Sequence, residues 1–467
     1  MTAREERGER RERKVVRPQL LSGFRDFLPR QMLLRQEVLG ILRDVFERHG
    51  YEPLDTPALE SAATLTGKYG EDEKLLYTFQ DHGGREVGLR YDLTVPLARV
   101  AALYANELVL PFKRYHIGPV WRADRPQRGR YREFFQCDVD TVGSPSMLAD
   151  AEAVATVAEA LERLGFPEFT IQINHRGIIS GLARLAGVPD EQAATIHRAV
   201  DKLEKIGAGG VRQDMLDRGI PADAADRVLD IVTQEGGDEA VLAELRRRAG
   251  DDAEVAGGIA ELEQLLAFLA GLGVPRDRYA VRLSMIRGLD YYTGPVFEIA
   301  VERPKVGSVG GGGRYDGLIG LFSGRDVPAT GFAIGFERVL EVVQEYNLLP
   351  APSSVAEVLV ALVRDAPDAP PGDDPGIQAA LALVDELRAA GLRAEVYLNE
   401  RRSLRDQLSY ANRKGVPLVA IPGEAERARG EVRLRDLRSG QERDIPRAAL
   451  PAAIREALAG TPDGAAG

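Results

Sequence analysis

The segment Phe112–Asp140, FKRYHIGPVWRADRPQRGRYREFFQCDVD, decides how the rest of the chain is read. Two strand-like stretches, Phe112 to Trp121 and Arg132 to Thr141, flank a loop carrying Arg125, Gln127, Arg128 and Arg130. An arginine-rich loop is ordinarily a solvated hairpin tip. Here Arg122 directly follows the first strand, Glu133, Gln136 and Asp140 fall within the second, and the period of two puts Gln136 and Asp140 on one face. Polar groups on a covered sheet face are costly unless something pairs with them. The spacing predicts an anion-binding site built on a hairpin.

The flanking sequence extends this into a domain. Upstream, Val38, Ile41, Leu42, Val45 and Phe46 form one face of a helix that Gly50 can end in a left-handed conformation. An extended piece with Pro53 and Pro57 follows, then strand-like stretches at Leu75 to Gln80 and Val87 to Arg90. Downstream, Ser144-Pro145 reads as a cap and first-turn proline for a helix running to Gly165. Several strands joined by hairpin-like turns and then a helix imply a mainly antiparallel sheet, an α+β arrangement within the broad α/β class.

From 174 to 275 the chain is Ala-, Leu-, Glu- and Arg-rich, with Gly209-Gly210, Gly236-Gly237 and Gly257-Gly258 as expected helix breaks. This reads as a helical insertion. Strands return at Tyr279 to Leu283 and Val296 to Val301, followed by a glycine-rich stretch and a helix over 335–347. Pro350 to Ser354 reads as a linker. Alternating strand and helix patterns beyond it predict a compact α/β domain with a largely parallel sheet. The expected organisation is a disordered tail (1–17), a first part of the sheet domain (18–173), the insertion (174–275), a second part of the sheet domain (276–349), a linker (350–356) and a C-terminal domain (357–460).

Composition excludes several classes. The 467 residues carry a net charge of −11, with 28% charged and 44% hydrophobic side chains, as in a soluble chain with large cores. No run of about 18 apolar residues suggests a membrane span, and the Arg/Glu-rich start lacks a signal-peptide core. Cys137 is the sole cysteine, so neither a disulfide framework nor a Cys-rich zinc site is expected. None of the five histidines has ligand spacing, and no metal from a protein-only site is expected. The simplest location is cytoplasmic. The acidic balance argues against indiscriminate nucleic-acid binding but leaves room for basic patches at Arg122–Arg132 and Arg401–Arg405.

Two further segments stand out. In Arg287-Gly288-Leu289-Asp290-Tyr291-Tyr292-Thr293-Gly294, glycines permit close approach to a ligand, although a decorated turn with core tyrosines fits the residues equally well. Gly310 to Gly317, GGGGRYDG, and Thr330 to Arg338, TGFAIGFER, match neither a phosphate loop nor a dinucleotide fingerprint. A glycine-rich run of this kind is more often a flexible connection.

Together these segments carry a family resemblance. The Arg122 hairpin resembles motif 2 of class II aminoacyl-tRNA synthetases, Gly331 to Arg338 resembles motif 3, and the helix before Gly50 with Pro57 resembles the dimerising motif 1. RGLDYY at Arg287–Tyr292 and GRYDG at Gly313–Gly317 resemble the two signatures of histidyl-tRNA synthetases. The resemblance spans about Gln19 to Pro451. It implies a class II antiparallel core with a helical insertion and a C-terminal anticodon-binding domain. It implies a homodimer that uses L-histidine, ATP with Mg²⁺, and tRNA(His).

Carried over by position, Arg122 would bridge the ATP α-phosphate and the histidine carboxylate. Glu133 and Phe134 would bind and stack the adenine, with Arg338 on its other face and Arg130 at the outer phosphates. Asp92, Leu93, Thr94, Gln136, Asp140, Arg287, Tyr291 and Tyr292 would hold histidine. Gln127 and Arg128 are candidates for the tRNA acceptor end, and Arg401 and Arg405 for a basic rim facing the tRNA. Arg122, Arg287 and Arg338 would supply catalytic charge as planar, permanently cationic forks. Two rivals share the fold: the synthetase-like regulatory subunit of ATP phosphoribosyltransferase, and a class II synthetase for prolyl, threonyl or glycyl transfer. The Arg287 signature counts against both rivals, and the C-terminal domain also counts against the first.

Overall fold

The computed structural model describes residues 16–460, apart from Arg128, Glu235, 287–290, Glu302, 305–306 and 351–352, and the side chain of Glu71. The expected tail lies almost wholly outside the described residues. They form two units, one of residues up to Asp26 with Val38–Leu349, the other of Phe27–Glu37 with Pro350 onward. Among them no helix is long and apolar enough to cross a membrane.

In chain order the strands of the first unit are β1 (Glu52–Pro53), β2 (Leu59–Ser61), β3 (Thr78–Gln80), β4 (Glu86–Leu89), β5 (Phe112–Trp121), β6 (Glu133–Val142), β7 (Thr170–His175), β8 (Tyr279–Val281), β9 (Pro295–Ala300), β10 (Gly310–Arg314) and β11 (Ala329–Gly335). One sheet runs β1-β5-β6-β11-β10-β9-β7-β8, and β2-β4-β3 form a small second sheet. The large sheet is antiparallel from β5 through β7, with parallel pairings only at its edges, β1 with β5 and β7 with β8. The hairpin pairs Trp121 with Glu133 at its loop end and Phe112 with Val142 at its far end. This is the antiparallel core that the sequence predicts.

Helices cover the sheet where their apolar faces demand it. In the Pro29–Arg48 helix, Val38, Leu42, Val45 and Phe46 are fully buried, and Gly50 ends it at φ +75°. The next long helix runs Met147–Arg163 and is capped by Ser146, whose side chain accepts from Leu148 N. The Ser144-Pro145 start is thus two residues early, because Ser146 is the residue whose oxygen reaches the open first turn.

Other expectations need correction. β7 runs through Asn174 and His175, so the strand crosses the 173/174 division; Asn174 Nδ2 donates to Leu283 O at 3.3 Å and Met285 O at 3.0 Å. Helices follow from Arg176 to Gly271, yet Gly209-Gly210 and Gly257-Gly258 lie inside them rather than between them. Gly258 is there for close approach, since a Cβ would come within 2.6 Å of His175 Nδ1. Gly310–Arg314 is a paired central strand, not a flexible connection.

The second unit has β12 (Val358–Val360), β13 (Ala394–Val396), β14 (Leu418–Ile421), β15 (Glu431–Asp436) and β16 (Glu442–Pro446), in the order β13-β12-β14-β15-β16. Two pairings are parallel and two antiparallel, so the sheet is mixed rather than largely parallel. The antiparallel half arises from a turn that the alternation did not show: Gly440 at φ +75° donates to Asp436 O, folding β16 back on β15. Helices Pro375–Ala389 and Leu450–Ala459 contribute Ala380, Leu383, Val384, Leu387, Leu450 and Ile454 to a core on one face.

Candidate active site

On β6 the side chains of Phe134, Gln136, Asp138 and Asp140 follow one another on a single face and line a cavity of about 430 Å³. Main chain from Gly310–Gly312 and Gly331 lines it as well. Glycine is required there: a Cβ on Gly331 would collide with the carboxylate of Asp140, and one on Gly312 with the carbonyl of Gly331. Sheet register thus sets this wall of the cavity, because strand backbones stand side by side with no side chain between them.

Most of the residues picked from the sequence meet here. Asp92, Thr94, Arg122, Arg130, Phe134, Gln136, Asp140, Tyr291, Tyr292 and Arg338 all line the cavity. Arg122 lies 4.1 Å over the Tyr91 ring and 5.1 Å from that of Phe134, and its Nε donates to Tyr91 O at 3.1 Å. Arg338, in the first turn of the Phe336–Glu345 helix, donates from Nε to Gly129 O at 3.3 Å and from Nη1 to Ser308 O.

Others stand apart. Leu93 is buried just before the Thr94–Leu103 helix and offers its carbonyl to Arg114 Nη2 at 3.0 Å. Glu133 accepts from Trp121 Nε1 at 2.7 Å and does not line the cavity. Gln127 is an exposed loop residue paired through its backbone with Arg130. Arg401 and Arg405 are exposed residues of the second unit. Arg287, with Gly288 to Asp290, and Arg128 lie outside the described residues.

Three acids are buried in the cavity wall. Asp92 accepts from Tyr69 Oη at 3.1 Å, Val95 N at 3.0 Å and Tyr291 Oη at 3.3 Å. Asp140 pairs with Arg114 Nη2 at 2.8 Å and accepts from Tyr315 Oη. Asp138 has no hydrogen-bond partner among the described residues on either oxygen. Burial pushes all three above the usual carboxylate range, opposed by Arg114 at Asp138 and Asp140, and at Asp92 by the Val95 N–H and Arg122. Burial likewise pushes the phenols of Tyr69, Tyr291, Tyr292 and Tyr315 upward, so they act as hydrogen-bond donors and acceptors, not as anions.

The sequence reading missed Asp138, Arg114, Tyr69 and the part played by Tyr315. For Asp138 a signal was at hand: the period that joined Gln136 to Asp140 also includes Phe134 and Asp138. Tyr69 and Arg114 reach the site from distant elements, and spacing carries no trace of that.

The cavity therefore has two ends. Near the β5–β6 loop lie Arg122, Arg130 and Arg338, suited to phosphate oxygens; deeper along β6 lie amide, carboxyl and phenol groups, suited to a small polar ligand. Among the described residues no group of three or more His, Cys, Asp or Glu side chains is placed to hold a metal ion.

Comparison with known proteins identifies the family. The family model for histidyl-tRNA synthetase matches residues 23–339, and that for an anticodon binding domain matches 358–457. The histidine–tRNA ligase of Gloeobacter violaceus is 42% identical over 457 residues, covering 91% of this chain and 96% of its own. That of Aeropyrum pernix is also 42% identical, over 439 residues, covering 92% and 96%. The crystal structure of histidyl-tRNA synthetase from Nostoc superimposes with a TM-score of 0.84 at 30% identity, covering 95% of this chain and all of the other. With that family model over residues 23–339 and relatives 42% identical across nine-tenths of its length, the chain belongs to the histidyl-tRNA synthetase family.

Proposed function

We infer that the chain catalyses the histidine–tRNA ligase reaction in two steps at the β6 cavity. In the first, the histidine carboxylate attacks the α-phosphorus of ATP, a C–O–P link forms, and the bond to the β-phosphate breaks to release pyrophosphate. In the second, a terminal ribose hydroxyl of tRNA(His) attacks the acyl carbon and AMP departs. One observation carries the reading: a single cavity joins a cluster of arginines to a buried array of neutralisable acids and phenols.

The chemistry follows from charge. Bringing a carboxylate onto a polyphosphate gathers anions, and fixed cations lower that cost most where water is excluded. Arg122 would bridge the two reactants, and Arg338 and Arg130 would meet the phosphates; Arg287 is given the same task by its signature. Phe134 offers a face for the adenine. Glu133 would have to leave Trp121 to reach the base. Bound Mg²⁺ would supply positive charge at the phosphates, and Asp124 and Glu337, carboxylates that line the cavity with Arg130 and Arg338, would hold it.

Asp92, Thr94, Gln136, Asp140, Tyr291 and Tyr292 would hold histidine, and a pocket of buried polar groups rejects ligands that leave those groups unpaired. The same reading places catalytic parts at 18–173 and 276–349 around the 174–275 insertion, with an anticodon domain at 357–460 after the 350–356 linker. It also implies a cytoplasmic homodimer. The regulatory-subunit alternative has less support, since the relatives span both domains.

ATP–pyrophosphate exchange with each of the twenty amino acids tests the reading. Exchange with histidine alone is expected. A folded protein with no exchange would return the regulatory alternative.

A further inference from the structure

We propose that the segment Ser22–Arg25 is a strap that positions the ATP end of the cavity, with Arg25 as its positioning residue. The proposal deepens the histidine-ligase reading above and rests on it. Neither composition nor spacing marks this stretch in the sequence. In the structure it lies against the return of the β5–β6 loop and reaches the first turn of the Phe336–Glu345 helix.

The seat of the strap is specific. Leu21 O accepts from Phe24 N at 3.1 Å, closing a turn in which Gly23 takes φ +87°. That turn presents two carbonyls to Arg132: Gly23 O accepts from Arg132 N at 2.9 Å, and Ser22 O from Arg132 Nη1 at 3.2 Å. A Cβ on Gly23 would come within 2.8 Å of the Arg132 side chain and 3.0 Å of Pro126, so there is no room for a methyl between strap and loop. Phe24 adds a ring contact with Tyr77, the centroids 6.4 Å apart.

Arg25 then joins two separate elements. Its guanidinium carbon lies 3.3 Å over the Tyr131 ring, and its Nη2 pairs with Glu337 Oε2 at 2.6 Å. Tyr131 directly follows Arg130, and Glu337 directly precedes Arg338. One side chain thus grips the immediate neighbours of both arginines assigned to the phosphates, while Arg25 itself does not line the cavity. Arg338 Nε already ties helix to loop through Gly129 O at 3.3 Å, and Arg25 adds to that junction a charge-assisted bond and a stacked ring. The main chain that carries Arg130 and Arg338 is held before a nucleotide arrives, so binding does not have to order it. The amino-acid end is held instead by Arg114, Tyr69 and Tyr315. A lysine at position 25 would bring its charge to Glu337 but present no plane to Tyr131.

The test is pyrophosphate exchange with ATP and histidine varied in turn, for the wild type, Arg25→Ala, Arg25→Lys and Gly23→Ala, with ATP affinity measured separately by calorimetry. Arg25→Ala is expected to raise the ATP KM about tenfold, with kcat and the histidine KM within about twofold, as for lost binding of one substrate. The calorimetric ATP Kd should rise by the same factor, and Arg25→Lys should fall between. Gly23→Ala leaves Arg25 in place but lifts its seat from Arg132; it should raise the ATP KM about threefold or more, and it decides the matter should Arg25→Ala not fold. An unchanged ATP KM in a folded Arg25→Ala or Gly23→Ala protein would overturn the strap. So would a joint rise of both KM values, the mark of general loosening. A wild type that binds ATP but shows no histidine-dependent exchange would overturn the ligase reading, and weaker calorimetric ATP binding by Arg25→Ala would then still uphold the strap.

Discussion

Arg114 on β5 and Asp140 on β6 face each other across the hairpin as an ion pair at 2.8 Å, their side chains 0% and 3% exposed. Arg114 also donates to the carbonyl of Leu93, so one guanidinium joins the hairpin to the start of the Thr94–Leu103 helix. Removing one partner of such a pair strands the other in the interior. Arg114→Met is expected to lower unfolding stability by about 3–5 kcal/mol. Urea denaturation measures it, and a loss under about 1 kcal/mol would show that Asp140 needs no counter-charge.

Arg338 donates to the main-chain carbonyls of Gly129 and Ser308, at the end of the cavity beside the β5–β6 loop. Arg338→Ala should therefore raise the ATP KM about tenfold or more while leaving the histidine KM within twofold. Exchange kinetics with each substrate varied in turn separate the two, and an equal rise in both would refute the division of the cavity into two ends.

His49 ends the motif 1 helix between Glu152 and Glu159, at 3.2 and 2.9 Å, and Lys113 joins Glu152 at 2.8 Å. The hydrogen bond from His49 is the main cause that lowers Glu152 from 4.5 to about 2, and the same contact raises His49 above 6.5. The depressed acid contributes stability that is present above pH 4.5 and is lost as pH falls toward about 2. The raised histidine contributes stability that is full below pH 6.5 and is lost as pH rises through its folded value. Glu152→Gln should flatten both flanks of the stability profile. Melting temperatures from pH 3 to 9 test this, and an unaltered profile would sever the pair from stability.

Arg401 and Arg405 are exposed on the second unit. Reversing both, Arg401→Glu with Arg405→Glu, should raise the KM for tRNA about tenfold or more at low salt, because each phosphate contact contributes through counterion release. Pyrophosphate exchange should be unaffected. Charging that is insensitive to the double reversal would remove these residues from the tRNA-facing surface.

Gly331 leaves no room for a side chain beside Asp140. Gly331→Ala should abolish exchange or lower it by about a hundredfold even where the fold survives, because the strand must move away from β6 to admit the methyl. Near-normal exchange from a folded Gly331→Ala protein would mean that β10 and β11 are free to shift.

Much of this was legible in the residues themselves. The hairpin announced itself because glutamine and aspartate recur at strand spacing between apolar neighbours. The same rule would have included Asp138. The glycine-rich strand was opaque for a physical reason: propensity reads glycine as freedom, whereas Gly312 and Gly331 are dictated by the closeness of three backbones, which only the fold reveals. Gly258 misled for the same reason, its absent side chain making room for His175. The mixed C-terminal sheet escaped notice because β16, Glu442–Pro446, is charged and largely exposed, and lacks the alternation that marks a half-buried strand.

The glycine wall has a thermodynamic consequence. A surface made of main chain has no rotamers, and its shape is fixed by ladder hydrogen bonds before any ligand arrives. A small substrate settling against Gly310–Gly312 and Gly331 therefore freezes little of the protein on that side. The entropy lost on binding falls instead on long side chains such as that of Arg130, which is 48% exposed beside the β5–β6 loop and is assigned to the nucleotide in the proposal above. Order is built into the side that must discriminate between amino acids, and freedom is left at the side that must admit and release a triphosphate.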